Sequence, residues 1–397
     1  MAGKICLLTG GTGFVGSFLA VELLKKGHFV IFLARGKGGL SAEERVGEAV
    51  KFVDPDVYKQ LTSFYRVVEG DVIKKDLGLS LNDREFLVKL QPDEIFHSAG
   101  SVDFAEKNRG WTEAVNFSGT VNVLRLATEL KVRHFHHMST LYVAGNRSGE
   151  ILEDQLYESQ TFNNVYERTK AQAEDFIRFW SGRTGISHSI YRLPIIIGDS
   201  QTGKITTFTG FYGFFKPFWK LERSIREKIE DPRLKRAGIY LVDDHISAPL
   251  FVKCSDSSNI DLLPIDWVVD TVVRLSNSGS GNRTFHLSHE FAPTSTAVIR
   301  ETLPLLGLDG LQFVNVNGCK LNLEHNNKTL KAFQRMVDSI TEIYFEYATN
   351  KKVFDNHNVF RTLGRDYKVP PKIDDKELLG RMVKFAKERA FQKPSFA

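Results

Sequence analysis

The stretch Thr9-Gly10-Gly11-Thr12-Gly13-Phe14-Val15-Gly16 directly follows an apolar run at residues 4–9 and opens a helical pattern that continues to about Lys26. A strand that turns through spaced glycines into a helix restricts the fold more than any other feature of this chain. Gly10, Gly13 and Gly16 allow a tight turn, close approach of a pyrophosphate to the backbone, and close packing of helix on sheet. The helix start offers that pyrophosphate free N–H groups and a positive dipole end. Thr9, Gly10, Gly13, Phe14, Val15 and Gly16 are therefore expected along a bound dinucleotide.

Gly27-His28 ends the first helix, and residues 29–34, 67–69, 94–97, 135–138 and 189–197 read as further strands. Residues 115–130 and 162–179 read as helices, and 312–316 as a short late strand. Strands alternating with helices predict βαβ units, hence an α/β, Rossmann-type doubly wound parallel sheet. Ligands of such a sheet sit outside the carboxyl ends of its strands. Residues 1–200 are expected to form this dinucleotide-binding domain, with contributions from about 240–290. Residues 201–397 are expected to form a smaller, mostly helical substrate lobe.

Arg35 stands 19 residues after Gly16, just past the second strand. An NAD-binding fold usually places a carboxylate about there, for the ribose 2′-hydroxyl. Here Arg35 is followed by Lys37, with no carboxylate until Glu43. A guanidinium binds a 2′-phosphate by charge-assisted hydrogen bonds, so the expected cofactor is NADP(H). Tyr166 and Lys170 form a Tyr-x-x-x-Lys pair. Positions four apart share a helix face, and a nearby ammonium lowers a phenol from its ordinary pKa of about 10. Alone, this pair also fits an exposed helix.

Asp71-Val72 after Gly70, His97-Ser98-Ala99-Gly100, Ser139-Thr140, and Tyr166 with Lys170 follow the glycine loop in that order. Together they resemble an extended short-chain dehydrogenase/reductase. Within that superfamily the chain is most similar to fatty acyl-CoA reductases and thioester reductase domains. Arg35 with Glu44-Arg45, Leu77-Gly78-Leu79, Ser139–Gly145, Leu263–Asp270 and Lys351–Asn358 carry this likeness. It is thin over about 204–260 and 295–340. The chain departs from the family pattern at Ala99-Gly100, where Ala-Ala is usual, and at Leu193-Pro194-Ile195, where Arg-Pro-Ser is common.

The resemblance implies several roles. Asp71 and Val72 would flank the adenine, and His97, Ser98, Ala99 and Pro194 would lie along the cofactor. Asn116 would stand near the active site. Thr140 would take the slot of the catalytic Ser/Thr, with Ser139 the second choice. Thr140 would donate to a carbonyl oxygen gaining negative charge, Tyr166 would protonate it, and Lys170 would hold the nicotinamide ribose. The implied reaction is NADPH-dependent reduction of an acyl thioester, delivered as acyl-CoA or on an acyl-carrier protein, to an aldehyde and optionally an alcohol. A reductase of aldehydes or ketones needs the same triad. A nucleotide-sugar 4,6-dehydratase would want an acid/base pair after the threonine, where Leu141-Tyr142 stand; an epimerase usually retains NAD. A cofactor-sensing protein without catalysis would not need the Tyr166/Lys170 pair.

Phe208, Phe211, Phe214 and Phe215 belong to a run of seven aromatics over residues 208–219, and residues 216–236 hold eight Lys/Arg against four Asp/Glu. This stretch is expected to line an acyl channel, with bases facing the phosphates of coenzyme A or a carrier arm. Peripheral membrane contact is another use of aromatics beside bases, and a packed subdomain is the plain one. A formal net charge of +5 is too mild to argue for nucleic acid. Cys6, Cys254 and Cys319 are widely spaced, which fits a reducing, cytoplasmic setting. No signal peptide and no long apolar span is read. His134, His136 and His137 are not expected to bind metal, because strand alternation separates His137 from the other two. Asp243-Asp244-His245 reads as a polar loop. Chain length, carrier and oligomeric state are not set by the sequence.

Overall fold

The computed structural model describes residues 3–156, 159–315, 325–343, 351–373 and 375–397. The first apolar run forms β1 (Ile5–Thr9), and the glycines lead into α1 (Phe14–Lys25). Then come β2 (Phe29–Ala34), β3 (Tyr65–Glu69), β4 (Glu94–His97), β5 (His134–Thr140), β6 (Ser187–Leu193) and β7 (Arg283–His286). They join β1 in a seven-stranded sheet of order β7-β6-β5-β4-β1-β2-β3. All its pairings are parallel. The order reverses where β4 lies beside β1, which opens a crevice at the carboxyl ends of those two strands. The expected Rossmann-type fold is the one the chain adopts.

The helices that frame the site are α2 (Ala42–Val53), α3 (Gly119–Leu130), α4 (Val165–Thr184), α5 (Phe211–Arg226), α6 (Ile265–Asn277) and α7 (Lys376–Glu388). Strand alternation sorts the apolar residues onto two faces. Cys6, Leu8 and Phe32 pack in one cluster with α1, α2 and α6. Leu7, Ile31 and Ile95 pack in another with α3 and α4. Burying both faces explains why β1 and β2 read as unbroken apolar runs. Among the described residues, no helix is long and apolar enough to cross a membrane.

Three details differ from the sequence reading. The strand predicted at 189–197 breaks at Pro194, which has no N–H for the ladder. Ile195–Ile197 leaves the main sheet and pairs with Leu262–Pro264. The helix predicted at 115–130 begins earlier, at Arg109, and runs through a π-turn at Ala114–Ser118 into α3. β7 was not foreseen as a strand; it is short and closes one edge of the sheet.

The aromatic run is a correction. Phe211 and Phe215 are buried, and Phe208 and Phe214 pack half-buried against the same second core, with Phe218, Leu221, Ile246 and Met382. On α5 the spacing 211, 215, 218 makes one inward stripe, so these rings fill the lobe rather than line a channel. Several neighbouring bases pair locally: Arg226 with Glu222 and Asp244, Arg233 with Asp231, Lys235 with Glu230. His134 and His136 stack on one face of β5 and His137 stacks on His97 across the other. Asp243-Asp244 turns the chain between two short strands, and His245 meets Asp309. Cys6 and Cys254 are buried thiols. The predicted strand over 312–316 forms at Gln312–Asn315; Val316 and Cys319 lie outside the described residues.

Behind the carboxyl end of β5, Glu174 and Arg192 form a fully buried ion pair at 2.8 Å. Burial alone would raise the Glu174 carboxyl, but Arg192 and Arg178 outweigh it and hold it at about 2. Its ordinary value is 4.5. The unfolded chain therefore binds this proton first, so the pair's contribution is full above pH 4.5 and is lost as pH falls toward 2. Replacing Glu174 alone by Leu leaves Arg192 buried and unpaired, which should cost about 3–5 kcal/mol in urea unfolding at pH 7. The double change Glu174→Leu with Arg192→Met should recover most of that loss and flatten the acid limb of the stability curve.

Candidate active site

The glycine turn is set by contacts that leave no room for side chains. A Cβ on Gly16 would lie 2.2 Å from the Gly10 carbonyl oxygen, and one on Gly10 would lie 2.5 Å from the Ala99 nitrogen. Gly10 also has φ +75°, in the left-handed region. The turn thus sits flat against the end of β4 and forms the floor of a cavity of about 350 Å³. Gly10, Gly13, Arg35, Lys37, Asp71, Val72, Ser98 and Ala99, which the sequence reading assigns to a cofactor, line it. Thr9, Phe14, Val15, Gly16, His97, Tyr166, Lys170 and Pro194, assigned to the cofactor as well, are not among the lining residues. The His97 ring bridges Thr9 (2.7 Å) and Thr120 (3.0 Å), and burial, helped by Lys170, holds it at about 3 and hence neutral.

Arg45, Trp111 and Ala397 also line the cavity, and sequence reasoning gave them no cofactor role. Arg45 lies on the buried face of α2 and donates to the Arg35 carbonyl and to Thr12 Oγ1. Its signal was the Glu44-Arg45 pair, which marked the family but not the site. Arg35 reaches across the cavity to Asp71 at 2.8 Å and lies 5.3 Å over the Trp111 ring. A half-exposed pair of this kind is worth about 0–1 kcal/mol, so the guanidinium can be redirected at small cost. The residues fit a dinucleotide: the glycine turn at a helix N-terminus leaves backbone open to a pyrophosphate, and Arg35, Lys37 and Arg45 gather beside it.

The reacting groups meet at the carboxyl end of β5. α4 starts beneath them, with Asn164 capping the Glu167 N–H and Glu167 accepting from Asn163. This fixes Tyr166 in the first turn and Lys170 one turn further. Thr140 lies close enough to Tyr166 for its hydroxyl to favour the phenolate, and Thr140 Oγ1 accepts from the Tyr142 N–H at 3.3 Å. Ser139 points the other way, as strand alternation requires, and donates to Glu174 at 2.6 Å. The structure thus brings Thr140, not Ser139, to the tyrosine. Phe104 stands beside it, with ring centroids 5.7 Å apart.

The tyrosine's acidity runs against the sequence expectation. Tyr166 keeps part of its surface open, yet burial pushes its pKa up to about 12, against the opposing influence of the Thr140 hydroxyl. Lys170 does not offset this. Its ammonium is buried, drawn down to about 8 by that burial against the pull of Glu174, and donates to the Met138 carbonyl at 2.8 Å. A Cβ on Gly100 would lie 3.3 Å from Lys170 Nζ and 3.5 Å from Asn116 Oδ1. The glycine at the family's usual alanine position therefore gives Lys170 room. Asn116 sits in the π-turn, where π-bulges often mark functional sites. It accepts from the Ser101 N–H and donates to the Ser101 carbonyl and Thr169, tying the loop after β4 to α4.

Gly16→Ala tests the cavity floor. The added methyl meets backbone, which cannot move aside, so the turn must shift. Loss of dinucleotide binding by at least about tenfold is expected, with a melting midpoint lowered by a few degrees, as overpacking costs about 1–3 kcal/mol. Fluorescence titration against the wild type checks it.

Comparison with known proteins agrees with this architecture. The family model described as male sterility protein, of NAD-binding type, matches residues 8–272. Fatty acyl-CoA reductase 1 of Rattus norvegicus is 30% identical over 310 residues, covering 68% of this chain and 53% of that protein. A linear gramicidin synthase subunit of Brevibacillus parabrevis is 27% identical over 292 residues, covering 72% of this chain and 5% of that protein. The chain thus spans about half or less of the length of these relatives. The terminal R domain from the myxalamid PKS-NRPS pathway superposes with a TM-score of 0.76 at 22% identity, covering 99% of this chain and 92% of that one. With the glycine turn, the Tyr166/Lys170 helix and more than half of the sequence inside the matching model, the chain is an extended short-chain dehydrogenase/reductase that belongs to the NAD-binding male sterility protein family.

Proposed function

We propose that this chain reduces the carbonyl of an acyl thioester with NADPH, giving an aldehyde and a free thiol. The observation that carries the reading is Tyr166 with Thr140 close to its hydroxyl and Lys170 one helical turn away, near the cavity floored by the glycine turn. The activity named for fatty acyl-CoA reductase 1 supports the substrate class. Arg35, Lys37 and Arg45 at one end of the cavity support NADPH over NADH. Gly10 and Gly13 would face the pyrophosphate in a turn that Gly16 lets close, Asp71 and Val72 would meet the adenine, and Lys170 the nicotinamide ribose. When bound, the nicotinamide supplies a hydride to the thioester carbonyl carbon.

This chain's residues manage the oxygen. Thr140 donates a hydrogen bond as the oxygen gains charge, and Tyr166 gives it a proton. A phenol held near 12 is fully protonated at neutral pH, which is the form a general acid needs. The product of that step is a hemithioacetal. Its thiol, with an ordinary pKa of about 8.5, leaves readily, so no covalent enzyme intermediate is required. The buried thiols of Cys6 and Cys254 take no part. A second round on the aldehyde would give an alcohol. The thioester would arrive as acyl-CoA or on an acyl-carrier protein. A reductase of free aldehydes or ketones would use the same triad.

Two measurements test this reading. NADPH oxidation with acyl-CoAs of graded chain length should release thiol in step, and Tyr166→Phe should lower the rate roughly 100-fold or more. Turnover on aldehydes but on no thioester would instead select the small-carbonyl reductase. Separately, burial holds Lys170 at about 8, so it loses its charge as pH rises through that value. kcat/KM for NADPH should fall above about pH 8, and Lys170→Arg should move that limb upward in whatever activity remains.

A further inference from the structure

The cation-rich end of the cavity is partly walled by a segment far away in sequence. After α7, Ala390 and Phe391 both take left-handed backbone, with φ of 48° and 54°. Non-glycine residues hold that conformation only where their surroundings impose it. Phe391 is buried, with its ring 5.7 Å from Phe208 and 5.2 Å from Trp219. The turned chain then seats Phe396, also buried, against Phe52 at 5.6 Å. The Phe396 carbonyl accepts two hydrogen bonds from Arg45, at 3.0 Å from Nε and 2.9 Å from Nη2. The Ala397 main-chain oxygen accepts from Lys37 at 3.2 Å, and Ala397 itself lines the cavity.

Burial lowers the Lys37 ammonium below its ordinary range, and Lys393, Arg45 and Arg35 push the same way. Four cations therefore converge here, and two of them spend their donors on main-chain oxygens of this segment, Arg45 on the neutral Phe396 carbonyl. A phosphate dianion is a much stronger acceptor for a guanidinium than a carbonyl is.

We infer that Phe396 is a positioning residue for cofactor selectivity: its anchored carbonyl holds Arg45, so a phosphate on the cofactor's adenosine ribose must displace the 394–397 segment to take Arg45 and Lys37. A dinucleotide without that phosphate has no need to. The seating of Phe396 on Phe52 thus weakens binding of the phosphorylated cofactor alone. This rests on the NADPH reading above.

The test titrates the 397-residue chain with NADPH and with NADH, following quenching of tryptophan fluorescence. Phe396→Ser should bind NADPH roughly tenfold more tightly than wild type, the equivalent of releasing one hydrogen bond to a charged group, and NADH unchanged. Phe396→Leu, which keeps an apolar anchor, should behave as wild type. No change with NADPH, weaker NADPH binding, or equal shifts for both dinucleotides would overturn the inference. If Phe396→Ser does not fold, hydrogen exchange of wild-type residues 392–397 decides: exchange should quicken with NADPH and not with NADH, and protection by NADPH would overturn it. A wild type that binds NADH more tightly than NADPH would instead remove the cofactor reading itself.

Discussion

The site depends on one close approach of backbone to backbone. Gly16 packs against the Gly10 carbonyl, and Gly10 packs against the peptide that leaves β4 at Ser98-Ala99. With that contact made, the loop after β4 has a fixed course. It passes Gly100 beside the Lys170 ammonium and Ser101 beside Asn116, which in turn grips Thr169 on the tyrosine helix. A glycine turn packed this closely therefore also helps determine where Tyr166 and Lys170 stand. Side chains at these positions would separate β1 from β4 at the point where the strand order reverses, and the crevice would lose its floor.

Behind Thr140 and Tyr166 the structure sets charges in a low-dielectric interior, with Glu174 at their centre. Glu174 receives Arg192, Arg178 and Ser139, and lies one turn from Lys170, whose charge it favours. Ser139 and Thr140 divide by strand alternation: one turns to the buried ion pair and the other toward Tyr166. The same burial that makes Lys170 a weak base keeps Tyr166 protonated, so the two groups hold complementary states at neutral pH. Geometry and solvation act together here, because helix spacing alone implied a more acidic tyrosine than the folded surroundings allow.

The amino-acid sequence by itself determined the elements with strong local rules. β1, the glycine turn, α1 and the tyrosine helix were legible because apolar periodicity, glycine spacing and a four-residue offset act over a few residues. The Rossmann-type sheet was legible from strand–helix alternation. Only the tertiary structure decided the matters that depend on what lies opposite. The rings of α5 are equally suited to a channel or a core, and packing against α7 and its neighbours made them core. Arg45 reads as an ordinary helix residue until α2 turns it toward the cavity. Phe396 carries no local signal, since its partners stand more than 300 residues away in sequence, at Arg45 and Phe52. Burial, likewise, is a property of the folded neighbourhood and not of the residue, and for that reason the acidity of Tyr166 was misread from the sequence while its position was not.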